Sequence, residues 1–131
     1  MSTKLNAGQT FESVLVDDLT RTQLVQYAGT SGDYNPVHTD ERFATEVAGY
    51  PSVFAHGMLT MGMSSRALDE LVGVENITSF GGRFTSQVWP GDTLTNKIAV
   101  DSVDGDVAAL TITVTNQKDV VVYSGQATVK Q

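Results

Sequence analysis

The chain has 131 residues, eight Lys and Arg against fifteen Asp and Glu, a formal net charge of −7, 40% hydrophobic residues and 18% charged ones. That is room for one domain over residues 1–131, apolar enough to bury a core and too sparsely charged to be disordered, and without a Lys or Arg run nucleic acid is excluded as a partner. The absence of Cys excludes disulfides, thiolate metal sites and a Cys nucleophile.

A short strand is expected around Phe11 to Val16. Thr20 and Gln23 then stand at capping-box spacing, and Leu24, Val25 and Ala28 give the helix that follows an apolar side, with Gly29 and Gly32 to end it. The stretch Ser31-Gly-Asp-Tyr-Asn-Pro-Val-His38 reads as a turn-rich loop. Asp40 can cap a second short helix that carries Phe43, Ala44 and Val47 and stops at Gly49.

The longest helical pattern runs from His56 to Val72, where Met58, Leu59, Met61, Met63, Ala67, Leu68, Leu71 and Val72 cover most of the circumference. A helix apolar on so many sides is predicted to be buried. Beyond Gly73 the texture changes: Leu94, Ile98 and Val100, then Leu110, Ile112 and Val114, alternate with polar residues as half-buried antiparallel strands do. Pro90-Gly91-Asp92 breaks the chain before Thr93, and Asp104-Gly105 and Gln117 to Asp119 read as hairpin turns. The helix and strands of eight residues would each span about 25 Å. The segregated elements give an α+β class, most simply one antiparallel sheet curled around one helix.

Only two histidines occur, His38 and His56. Asp33 and His38 lie five apart, and the Pro turn between them can bring both side chains to one mouth, where a carboxylate and an imidazole can hold and activate a water. The plainer reading makes Asp33 the head of an Asx turn and His38 an ordinary loop residue. Ala55-His56-Gly57-Met58 opens the long helix, whose free N–H groups and dipole stabilise developing negative charge, and Gly57 lets an oxygen come close. Its plainer reading is close packing at Gly57. His38, Asp40 and His56 could in principle ligate zinc, but their spacing matches no ligand pattern, so neither metal nor cofactor is expected. The Met58, Met61 and Met63 group reads as adaptable packing.

The stretch Tyr27-Ala-Gly-Thr-Ser-Gly-Asp-Tyr-Asn-Pro-Val-His38, with Ala44 after it, resembles the signature of the MaoC-like hot-dog hydratases, the R-specific enoyl-CoA hydratase group. Ala55-His-Gly-Met-Leu59 is similar to that family's central-helix start, and Arg83-Phe-Thr with Pro90-Gly-Asp92 to its later strand region. The resemblance implies a sheet wrapped around a central helix, a homodimer joined sheet edge to sheet edge, and reversible syn hydration of trans-2-enoyl-CoA to (R)-3-hydroxyacyl-CoA. It further implies Asp33 and His38 as the catalytic pair, the Gly57 N–H as the oxyanion site, and Asn35, His56 and Ser65 as substrate-binding positions. Thr30-Ser31 departs from the family pattern, with helix packing the expected consequence.

The same residues also resemble the catalytic subunit of mycobacterial heterodimeric dehydratases, which would make the partner a different chain. A hot-dog thioesterase and a non-catalytic acyl-CoA-binding protein are the remaining alternatives. No stretch approaches the roughly 18 apolar residues of a membrane helix. Met1 to Thr10 carries one Lys and no signal-length apolar core, so a cytoplasmic protein without a membrane partner is expected. The charge of −7 repels the phosphates of CoA and, more strongly, an acidic carrier protein, which favours CoA. Arg66, Arg83 and Lys97 are the cations suggested for the nucleotide.

Overall fold

Thr20 opens the first helix as its spacing predicts: its hydroxyl accepts from the Gln23 N–H while the Gln23 side chain accepts from the Thr20 N–H, closing both halves of the capping box. This is the computed structural model of the chain, which describes residues 4–131; the parts of the domain and leader expectations that fall on residues 1–3 lie outside them. In chain order it has strand β1 (Thr10–Val16), helix α1 (Arg21–Ser31), helix α2 (Gly57–Val72), and strands β2 (Ile77–Phe84), β3 (Leu94–Asp104), β4 (Val107–Thr115) and β5 (Val121–Lys130). The class is α+β, with one five-stranded antiparallel sheet in the order β1-β3-β4-β5-β2.

Two helical expectations change. Gly29 does not end α1, which runs on to Ser31; the stop is Gly32, at φ 75°, whose N–H bonds the Ala28 carbonyl in the left-handed conformation that glycine reaches without cost. The second short helix does begin at Asp40, whose Oδ1 accepts from the Phe43 N–H, but Phe43–Val47 winds as a wider π turn closed by the Ala48 N–H on the Phe43 carbonyl. Between the helices, Pro36–His38 forms one 3₁₀ turn that the Asn35 side chain caps.

The sheet buries one face. Leu94, Ile98 and Val100 of β3, Ala108, Leu110, Ile112 and Val114 of β4, and Tyr123, Ala127 and Val129 of β5 point to α2, while Thr, Lys and Gln residues alternate outward. Each large aliphatic side chain removed from water stabilises the fold by about 1.5–3 kcal/mol.

Helix α2 is less enclosed than its composition predicts. Its buried residues are Thr60, Ser64, Leu68 and Val72, a single stripe at four-residue spacing, and Met58 is 55% exposed. One sheet covers one side of a helix, so Leu59, Met61, Met63 and Leu71 pack against the rim of the core, only partly buried.

The helix lies across the strands. Ser13, Asn96, Val114, Tyr123 and Phe84 are successive register partners from edge to edge, so they form one row on the sheet. Gly57 at the start of α2 rests on Phe84 at one end of this row. Two turns on, the buried Ser64 hydroxyl bonds Asn96 Oδ1 at 2.7 Å on β3. The predicted break at Pro90-Gly91-Asp92 is pinned by the buried Asp92, which accepts from the Trp89 N–H and from Gln117 in the β4–β5 turn.

Candidate active site

The loop after α1 folds on its own side chains. Asp33 Oδ1 accepts from the Asn35 N–H, and Asn35 Oδ1 accepts from the Val37 N–H, two consecutive Asx-type turns that reverse the chain around Pro36. The plainer reading of Asp33 is therefore present, and the same reversal sets the second carboxylate oxygen beside the helix start, 3.9 Å from His56 Nε2. Asp33 and His38 meet in one pocket of about 380 Å³ lined also by Tyr27, Ser31, His56, Gly57, Met58 and Phe84.

His38 is buried, and its Nδ1 lies 2.7 Å from the Phe54 carbonyl oxygen. A carbonyl can only accept, so Nδ1 carries the proton and Nε2 keeps a bare lone pair. Burial holds this imidazole below its ordinary titration range and the facing His56 adds to that, against the Phe54 bond and the Asp33 charge, which favour protonation. Near neutral pH the residue is thus an uncharged base beside a carboxylate that is half exposed.

Gly57 is the first residue of α2, so its N–H has no carbonyl one turn back to bond and is free for an anion or an oxygen. A Cβ there would come within 2.8 Å of the Phe84 ring, so the packing reading of this glycine holds as well. His56 fills the N-cap position without capping; its Nε2 reaches the Asp33 backbone carbonyl at 2.9 Å, which makes Nε2 the protonated nitrogen. Asp33, His38 and His56 each offer a ligand-type atom within 4.8 Å of the others, a group that could hold a metal ion.

The other expected positions lie apart from the pocket. Asn35 is exposed and spends its carboxamide oxygen on the turn. The Ser65 hydroxyl donates to the Gly62 carbonyl at 2.7 Å, outside the pocket lining, while its neighbour Ser64 faces the sheet. Arg66 pairs with Glu70 beside a groove between α1, α2 and β1, and Arg83 lines a groove formed by residues of β2, β4 and β5. Tyr27 and Phe84 received no role from the sequence. Tyr27 stands edge-on to His56 with ring centroids 5.0 Å apart, and Phe84 closes the pocket from β2. Nothing in local spacing announces either, because one depends on helix docking and the other on strand register.

With that geometry in hand, residues 3–123 match the model of the MaoC like domain. The chain belongs to this family. A 3-hydroxyacyl-thioester dehydratase of Mycobacterium tuberculosis is 48% identical over 71 residues, covering 52% of this chain and 24% of the relative. An enoyl-CoA hydratase of the same organism is 34% identical over 97 residues, 72% of this chain and 32% of that one. The match thus spans about a quarter to a third of these relatives' length. Among solved structures, the (R)-hydratase of A. caviae involved in PHA biosynthesis superposes with a TM-score of 0.85 at 25% identity over 98% of both chains. An unliganded R-hydratase of Pseudomonas aeruginosa gives 0.85 at 29% identity over 96% of this chain and 81% of its own. These neighbours confirm the hot-dog fold that the motifs imply. Among the described residues, no helix is long and apolar enough to cross a membrane.

Proposed function

We propose that this MaoC-like chain catalyses the reversible hydration of a trans-2-enoyl-CoA to the (R)-3-hydroxyacyl-CoA. The observation that carries this reading is the pairing of a neutral His38, its Nε2 lone pair bare, with the Asp33 carboxylate in a pocket that also holds the free Gly57 N–H. A water donating to both groups has its oxygen free to attack C3. As that bond forms, the dyad takes one proton from the water and passes it to C2 on the same face. The negative charge passing to the thioester oxygen is stabilised by the Gly57 N–H and the α2 dipole, at about 3–4 kcal/mol for a well-placed donor. Dehydration is the same path reversed.

The test follows the ultraviolet absorbance of crotonyl-CoA. Asp33→Asn and His38→Gln should each lose on the order of 10²-fold or more in rate, the range for a positioned acid or base; unchanged rates in both variants would sink the assignment. Two polypeptides sharing the β2 edge are the proposed assembly, supported by β2 pairing with β5 alone and by Phe84 being 48% exposed at its end. Light scattering should return twice the chain mass. A second reading, the catalytic subunit of a (3R)-hydroxyacyl thioester dehydratase with a different partner chain, is favoured by the 48% identity to the mycobacterial dehydratase. Activity that appears only on adding a second hot-dog chain would select it.

A further inference from the structure

His56 is 3% exposed at the start of α2, touches both members of the Asp33–His38 pair and reacts through neither of its nitrogens in the path above. Its ring stacks on His38 with centroids 3.7 Å apart and planes 24° apart. Its Nε2–H donates to the carbonyl of Asp33, 23 residues earlier. Tyr27 closes on it edge-on, and the His56 Nδ1 is buried with no hydrogen-bond partner among the described residues. The ring is therefore wedged by three neighbours, and two of these are the proposed catalytic residues.

We propose that His56 is a positioning residue that holds the Asp33 turn and the His38 ring in register, so that the carboxylate and the bare Nε2 address one water. This rests on the hydration reading. The Nδ1–H bond to Phe54 fixes the tautomer of His38 and the Phe54 ring stands edge-on to it with centroids 5.1 Å apart, while His56 covers the face of the ring and completes its orientation. Asp33 sits in an exposed loop where its own N–H donates to the Ser31 hydroxyl and its Oδ1 accepts from the Asn35 N–H, both local bonds; the bond from His56 anchors its backbone to the start of α2. The groups facing His38 are His56 from the N-cap of α2, Asp33 from its own loop and the Phe54 carbonyl, while Tyr27 of α1 faces His56. The facing His56 disfavours a proton on His38, which keeps the base free to lower pH.

Two variants separate the parts of this role. His56→Phe keeps a flat ring on His38 and loses the N–H to Asp33; His56→Gln keeps a donor and loses the stack. In both, kcat for crotonyl-CoA hydration should fall by roughly 10²-fold, as for a small misplacement of reacting groups, with KM nearly unchanged. The acid limb of kcat/KM should move to higher pH. The same shift should appear, without any substrate, when the ¹⁵N signals of the His38 imidazole are titrated by NMR. An unmoved His38 titration in both variants, or a rise in KM alone, would overturn the proposal. A wild-type protein inactive on crotonyl-CoA would defeat the hydration reading instead, and the NMR titration would still decide the role of His56.

Discussion

Phe84, at the last position of edge strand β2, lies against Gly57, the first residue of α2, so closely that a methyl group on residue 57 would sit 2.8 Å from the ring. Sheet and helix therefore meet at the residue whose N–H is the proposed donor to the thioester oxygen.

This contact makes Gly57→Ala an informative change. The new methyl must push the half-exposed Phe84 ring aside or shift the helix start, and the N–H moves with the helix. Hydration should fall by roughly 10²-fold while the far-ultraviolet circular dichroism stays native. Adding Phe84→Ala removes the obstruction, and the double variant should recover a large part of the lost rate. A double variant no better than Gly57→Ala would show that the methyl blocks the substrate oxygen and not the packing.

His38 gives a pH dependence of stability with a definite sign. Its folded-state value lies below the ordinary 6.5, chiefly through burial, so the unfolded chain binds more protons in the window beneath 6.5. Stability is full above that value and is lost as pH falls from it toward the folded-state value. Urea midpoints measured at stepwise lower pH should decline in this window, and His38→Gln should flatten that part of the decline.

Ser64 and Asn96 form a buried polar bridge between helix and sheet, both 0% exposed, with Asn96 Nδ2 unpartnered among the described residues. Ser64→Ala leaves the Asn96 oxygen unpaired as well and should cost about 1–3 kcal/mol in chemical denaturation. Ser64→Ala with Asn96→Leu replaces both ends by apolar groups and should cost clearly less than the sum of the two single changes.

The turn that carries Asp33 and His38 was legible because it is built locally. The hydrogen bonds made within Asp33-Tyr-Asn-Pro-Val-His38 span two or three residues, and the residue types alone announce them. The roles of Ser64 and Ser65 were not legible: adjacent residues on a helix differ by about 100° in direction, and only docking on β3 says which of the two faces the sheet. The breadth of apolar residues on α2 misled for a related reason, since composition counts sides without saying how many a single sheet can cover.

By itself the sequence determined the local grammar of this protein: the capping box at Thr20, the reversal around Pro36, the glycine at the head of the long helix and the alternation of the strands. These depend on interactions within a few residues and survive any arrangement of the rest. The tertiary structure alone decided that His56 stacks on His38, that Tyr27 closes behind it, that Phe84 covers Gly57 and that Asn96 receives Ser64. Each of these pairs joins residues eighteen or more positions apart, and its members meet only after strand register and the crossing of α2 over the sheet have been set by burial of the common core.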